Sequence, residues 1–417
     1  MINFFKSKIA SNLFSLTSAE LAKRLLGFFT LVYLGRILDK GGFGILGFAA
    51  AFISYFILVV NFGFSTYGTM QIAKDNSKIS TYVNNIFSIR ILLAVFLSLV
   101  LIPYLFFSEK STVIKYVILI TGLNLFTNAL ALNWVFQAVE KMQYIAIRQI
   151  LGGLLSLIGV MIFVHSKDDL LIAASILAIS ALLGNIWFIP IYQKLFDKIK
   201  LEFSFHFWKE LFRESFPLAF ASIMIGIYYN LDMLMLGYMK PENDVGIYSA
   251  AYKIFLLGIL PFQLIFSAFF PALSRAGLQD TSEFKSALKN YGKFILGTGI
   301  VSGIVLLTFS ERIILLIFGE NYLASAAPLS ILAMNIIIVS INVFLGNPMM
   351  AWGKNKEYSI AITMGAVTNI ILNFILIPKY SFIGAAFATL ASEVAVFSGL
   401  FYLFHKFTAG FLHKEIR

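Results

Sequence analysis

Leu34-Gly35-Arg36, followed by Gly44-Ile45-Leu46-Gly47-Phe48-Ala49, returns 202 positions later as Leu236-Gly237-Tyr238 and Gly246-Ile247-Tyr248-Ser249-Ala250-Ala251. The alignment needs no gap. Identities fall at Leu34/Leu236, Gly35/Gly237, Gly44/Gly246, Ile45/Ile247 and Ala49/Ala251. A weaker correspondence runs at offset 213, through Ala138/Ala351, Lys141/Lys354, Gly152/Gly365 and Ala173/Ala386, with the longer loop at 274–290 absorbing the difference. The chain thus reads as two copies of one unit, and the unit is apolar. Of 417 residues, 59% are hydrophobic and 13% charged, against about 25% charged in a soluble protein. Neither a water-soluble enzyme nor a disordered chain has this balance. An all-α polytopic membrane protein does.

A spanning helix needs about 20 mostly apolar residues. Runs between charged or turn-rich breaks predict about twelve, at roughly 12–36, 43–67, 86–108, 114–138, 144–165, 169–192, 215–238, 245–272, 292–310, 326–350, 358–378 and 382–405. Six helices per repeat is an even number, so the two repeats run parallel. Parallel repeats are a transporter signature, with the site near mid-bilayer between them. The alternative is a duplicated helical scaffold without transport. The expected organisation is an N-terminal six-helix lobe over 1–193, a cytoplasmic amphipathic linker over 194–214 and a C-terminal six-helix lobe over 215–417. The segment 194–215, KLFDKIKLEFSFHFWKELFRES, mixes aromatic and basic residues and suits a helix lying in the interface plane.

The formal net charge of +11 is distributed unevenly. With the N-terminus inside, cytoplasmic segments carry 19 basic and 10 acidic residues, outer loops 8 and 8, and spans 5 and 3. Lysine and arginine excess marks the cytoplasmic side, so both termini are expected there. Basic residues spread along loops do not suit a nucleic-acid role. There is no cysteine, and the four histidines show no ligand spacing, so no metal or cofactor is expected. The first apolar run, broken by Glu20, Lys23 and Arg24, reads as a retained helix rather than a signal peptide.

Charge inside a bilayer costs about 2.5–3.5 kcal/mol per group on insertion scales, so such groups normally face a cavity or a partner. Lys23 and Arg24 lie near the middle of the first span. Glu20 stands one turn before Arg24 and can pair with it, but one carboxylate cannot neutralise both cations. The pair either packs helices or forms the wall of a cationic cavity. Asp232 and Lys253 lie at similar depth in consecutive antiparallel spans and are expected to bridge, structurally or as a gate that opens when Asp232 takes up a proton or cation. Glu393, deep in the last span, has no sequence-local partner and is a candidate to answer Lys23 or Arg24. Arg90 and Arg148 either snorkel to the interface or line an inward-open mouth, where a guanidinium fork matches the paired oxygens of an anionic group. Arg36 ends the first span at the outer face. Asn124/Asn128 and Asn369/Asn373 each share a helix face, as interhelical hydrogen-bonding glue or as sugar contacts.

Twelve spans in two sixes, Lys23-Arg24-Leu25-Leu26-Gly27-Phe28, Leu34-Gly35-Arg36 and Phe43-Gly44 together resemble the polysaccharide-transporter branch of the MOP superfamily. That branch holds the Wzx-type flippases of O-antigen and lipopolysaccharide biosynthesis and is related to lipid II flippases and MATE exporters. The resemblance implies V-shaped lobes, a central cavity, alternating access and, as cargo, an undecaprenyl-diphosphate-linked oligosaccharide moved from the inner to the outer leaflet of the bacterial cytoplasmic membrane. In the similar stretch of lipid II flippases the arginine lines the cavity, which by resemblance favours Arg24. The expected partners are the anionic lipid-linked oligosaccharide, membrane lipid, and polysaccharide polymerase or glycosyltransferase machinery. The alternative is a MATE-like cation-coupled multidrug exporter, which would want acidic residues to dominate its cavity. Five basic residues in the spans against three acidic ones favour the flippase. A membrane glycosyltransferase is disfavoured by short outer loops whose one paired-acid candidate is Asp168-Asp169, so no enzyme activity is expected.

Overall fold

The structure, a computed structural model, describes the backbone of residues 8–276 and 281–412 and the side chains of 21–275 and 285–407. Its elements are helical. In order they are α1 (Lys8–Ile37), α2 (Asp39–Asn61), α3 (Phe64–Lys74), α4 (Ile79–Phe107), α5 (Thr112–Thr121), α6 (Asn124–Ala129), α7 (Asn133–Ala138), α8 (Met142–Phe163), α9 (Leu170–Ile186), α10 (Phe188–Leu195), α11 (Phe205–Met239), α12 (Glu242–Ala276), α13 (Thr281–Ile317), α14 (Ala326–Ala351) and α15 (Asn355–Leu412). Three short 3-10 turns lie between them.

Ten helical segments among the described residues are long and apolar enough to cross a membrane. The last of them, Asn355–Phe407, is two spans, because Ser381 breaks α15 with φ 49°. Adding that division and the 30-residue α1 brings the count to the expected twelve. All-helical construction follows from the solvent, since in hydrocarbon every backbone N–H and C=O must be satisfied within the segment. Large apolar side chains stay exposed along the spans, for example Phe96 at 60%, Leu99 at 63% and Val301 at 62%. Lipid, not a protein core, is the natural cover for such surfaces.

Breaks inside spans have local causes. The second expected span is divided between α2 and α3 by Phe62 (φ 36°) and Gly63 (φ 72°). A Cβ at Gly63 would come within 2.8 Å of both Leu218 Cβ and Ser215 O, so α11 packs where only glycine fits. Phe62 and Phe64 close the break, their rings 5.0 and 5.2 Å from that of Phe212. The α15 break is pinned by two residues of the α11–α12 loop: Lys240 Nζ donates to Pro378 O at 2.9 Å, and Ser381 Oγ donates to Asp244.

By packing the chain forms two units, 1–226 and 227–417, whose boundary falls inside α11. The expected interfacial helix over 194–215 is not one element. Residues 196–204 are non-helical, and Phe205 opens α11, which continues unbroken into the seventh span. The irregular stretch is strapped to α4: the Lys200 and Glu202 amides donate to Asn84 Oδ1 (3.0 Å) and Ser88 Oγ (2.8 Å). Two acceptors one helical turn apart thus satisfy alternate amides of an extended segment. Of the aromatic residues that suggested an interfacial helix, Phe196, Phe207 and Trp208 join a core with Trp134, Phe136, Phe188 and Tyr192, while Phe203 and Phe205 stay exposed.

Candidate functional site

In the first unit, α1 packs on α8 closely enough that a Cβ at Gly153 would stand 2.9 Å from Leu26 Cδ1. Small residues at such crossings let membrane helices approach. Beside the crossing, α1, α8 and α9 enclose a pocket of about 320 Å³. Lys23, Arg148, Gln149, Thr30, Ser156 and Ser180 supply its polar groups, and Gly27 and Gly152 its open floor. No atom comes within 4 Å of a Cβ built at Gly27. Arg148 does not snorkel. Its Nη1 donates to Asn185 Oδ1 at 3.3 Å, and its guanidinium lies over the Phe188 ring, 5.7 Å from the centroid. The pocket's described lining holds two cations and no carboxylate. Lys23 lines it and the half-buried Arg24 does not. The Glu20 side chain lies outside the described residues.

Arg90 has a different setting from the one expected. It is neither at the interface nor at a cavity mouth, being only 1% exposed within α4. Its guanidinium donates to Asn61 Oδ1 (2.9 Å), Ala131 O (3.4 Å) and Ser65 Oγ. Asn61 and Ser65 flank the α2–α3 break, and Ala131 lies in the α6–α7 break. The guanidinium therefore ties two side-chain oxygens at one helix break to a backbone carbonyl at the other. Arg36, by contrast, is exposed where the sequence placed it, at the end of α1.

Among the described residues of the second unit two carboxylates are buried, Asp232 and Glu393, each 5% exposed. Asp232 does not form the expected bridge to Lys253. Asp232 Oδ1 accepts from Asn369 Nδ2 (3.0 Å) and Asn373 Nδ2 (2.5 Å). Its Oδ2 accepts from Tyr248 (2.7 Å) and Thr389 (2.5 Å). Glu393 accepts from Tyr228 OH and, on Oε2, from Asn342 Nδ2 at 2.6 Å. Every one of these donors is neutral.

The two sites share one frame. Tyr228 and Asp232 stand one turn apart on α11, and Thr389 and Glu393 one turn apart on α15. The helices pair them in opposite order, Tyr228 with Glu393 and Asp232 with Thr389. Each helix supplies one carboxylate and one hydroxyl. Asn369 and Asn373, read from the sequence as glue or sugar contacts, are carboxylate ligands. Asn128 does join helices, accepting from Asn61 at 3.4 Å. Tyr228, Tyr248, Asn342 and Thr389 were not singled out from the sequence. The i,i+4 spacing of Tyr228/Asp232 and Thr389/Glu393 was the one available signal.

The profile of the family described as "Polysaccharide biosynthesis protein" matches residues 9–276, more than half of the chain. The chain belongs to the polysaccharide biosynthesis protein family. This agrees with the resemblance drawn from the repeat and the first-span motif. A second profile, MatE, matches 217–375. Among family relatives, the "Putative O-antigen transporter" of Escherichia coli (strain K12) is 26% identical over 95% of this chain and 97% of its own length. "Capsular polysaccharide biosynthesis protein CapF" of Staphylococcus aureus is 27% identical over 80% of this chain and 84% of its own. The solved structure "Lipid II flippase MurJ, inward closed conformation" superposes with a TM-score of 0.78 at 19% identity, covering 95% of this chain and 90% of that one. At that identity the likeness speaks for the fold. This family member is a multi-pass membrane protein, similar in sequence to a putative O-antigen transporter and in fold to a lipid II flippase.

Proposed function

We propose that the protein is a flippase that carries an undecaprenyl-diphosphate-linked oligosaccharide from the inner to the outer leaflet of a bacterial cytoplasmic membrane by alternating access between two six-helix lobes. The observation that carries this reading is the pocket whose lining brings Lys23 and Arg148 together with the hydroxyls of three further side chains. Cations held in spans are costly on insertion scales and mark a cavity or a partner. A diphosphate fits this lining: a guanidinium grips two oxygens in a fork, and an ammonium adds a point charge. Hydroxyls of Thr30, Ser156 and Ser180 add neutral donors. The names of the relatives, an O-antigen transporter and a capsular polysaccharide protein, support a glycan as cargo, and the lipid II flippase fold supports a lipid anchor. A polymerase or glycosyltransferase is the class of partner that would supply or consume it. The distribution of lysine and arginine supports a cytoplasmic side for both termini.

Asp232 and Glu393 are assigned to coupling. With both oxygens satisfied by neutral donors, Asp232 can take up a proton or small cation without breaking an ion pair. The MatE match falls on this part of the chain, which gives the alternative, a cation-coupled multidrug exporter, its support. The test is surface-glycan export in a flippase-deficient strain. Lys23→Ala and Arg148→Ala are each expected to weaken export about tenfold to a hundredfold, the worth of one charge-assisted bond, at unchanged membrane level. Full export by both variants rejects the cargo pocket. Cationic-drug resistance lost with Asp232→Asn, while glycan export persists, would establish the exporter.

A further inference from the structure

The N-terminal half of α13 carries Lys285, Lys289 and Lys293 at successive turns, all exposed. With Leu288, Gly292 and Leu296 they form one wall of an open groove of about 410 Å³, and Phe344 of α14 forms the other. Gly292 makes the groove possible. A Cβ there would stand 2.7 Å from Phe344 Cε2, so the ring lies on the bare backbone between the lysines. The described lining contains no acidic residue. From Phe294 onward the exposed side chains of α13 become apolar: Phe294 at 55%, Ile300 at 46%, Val301 at 62%. That change places Lys293 at the edge of the hydrocarbon. At 1.5 Å per residue, Lys289 sits about 6 Å further out. A headgroup layer is about 5–7 Å deep per leaflet, so these two ammonium groups occupy the depth of lipid phosphates.

We infer that this groove binds an anionic glycerophospholipid. The phosphate is held between Lys289 and Lys293, and the first carbons of an acyl chain run along Leu296 and Phe344. Charge complementarity selects the occupant, since basic pockets between membrane helices take anionic headgroups. The inference goes beyond the flippase reading and holds whatever cargo is carried. It extends the general excess of lysine at this end to a particular groove.

The test uses the full chain in a neutral detergent, with thermal unfolding followed during titration with dioleoyl-phosphatidylglycerol, dioleoyl-phosphatidylcholine or inorganic phosphate. Phosphatidylglycerol is expected to raise the melting temperature and the other two to leave it unchanged. The double variant Lys289→Gln/Lys293→Gln should need about thirty-fold more phosphatidylglycerol for half the effect, from two lysines near an anionic surface. Lys289→Arg/Lys293→Arg should respond as the native chain does. So should Lys356→Gln/Lys406→Gln, which removes two exposed lysines outside the groove. An equal response to phosphatidylcholine or to inorganic phosphate overturns the assignment, as does an unchanged Gln variant. Loss of the response in the Arg variant, or an equal loss in the Lys356/Lys406 control, overturns it as well.

Discussion

Replacing Asp232 separates what its carboxylate does for the fold from what it does for transport. In Asp232→Asn the oxygen that receives Asn369 and Asn373 can remain, while the new amide faces Tyr248 and Thr389. Both are hydroxyls and can turn from donor to acceptor. The network closes again, and the stability cost should stay below about 1 kcal/mol, since hydrogen bonds between membrane helices average about 0.6. In Asp232→Ala the losses are unequal. Thr389 still donates to Ala385 O at 3.0 Å, Asn373 to Asn369 Oδ1 at 2.9 Å, and Tyr248 lies 3.3 Å from Thr389. Asn369 Nδ2 loses the acceptor it had. One orphaned donor at about 1–3 kcal/mol and a small cavity at about 1 more give about 2–4 kcal/mol in all. Unfolding in detergent measures this difference, and glycan export at matched membrane levels measures function. The expected pattern is that the Ala variant is less stable than the Asn variant and neither exports. Wild-type export by Asp232→Asn would refute a coupling role for the charge. An Asn variant as unstable as the Ala variant would refute the reasoning about donors.

Arg90→Ala should cost about 2–4 kcal/mol from a cavity and two orphaned acceptors, yet leave export per folded molecule unchanged. A fall in export at normal membrane levels would put the guanidinium in contact with cargo after all. Gly63→Ala should lower the unfolding free energy by about 2–4 kcal/mol, from its positive φ and the collision with Leu218 and Ser215; a neutral result would mean that α11 can shift there. Glu393→Gln can still accept from Asn342 on its amide oxygen and donate from its amide nitrogen to the Tyr228 hydroxyl, so it should fold normally and lose export, and full export would remove Glu393 from the coupling assignment.

How much of this was legible in the sequence follows from what each feature depends on. The spans were legible because hydrocarbon imposes one length and one composition on every crossing. The breaks inside them were not. Gly63 is one of 29 glycines, and only its positive φ and the approach of α11 make its position special. Ser381 gives no hint of a left-handed backbone, because the force holding it there comes from Asp244, far away in the chain. Charges in spans were flagged as costly because cost is a property of one residue. Their partners were misjudged because partnership is a property of register. The Asp232–Lys253 bridge looked reasonable on depth alone, but depth says nothing about azimuth. On α11, Asp232 faces the helix bearing Asn369, Asn373 and Thr389.

The buried ions also argue against a purely structural reading of their own presence. Arg90, Asp232 and Glu393 are desolvated and meet neutral partners, so none recovers its desolvation cost through an opposite charge. A core that needed only packing would be as stable, or more so, with apolar side chains of the same volume. At Arg90 the interrupted helices supply the reason: acceptors at two breaks, side-chain oxygens at one and the Ala131 carbonyl at the other, share one donor with reach and several N–H groups. Asp232 and Glu393 have no such excuse. Their neighbours Tyr228, Tyr248, Asn342, Asn369, Asn373 and Thr389 are polar groups in lipid-embedded helices, gathered around the carboxylates from four helices. An arrangement in which six neutral side chains are placed to support two charges makes sense if the charge itself is what the protein uses.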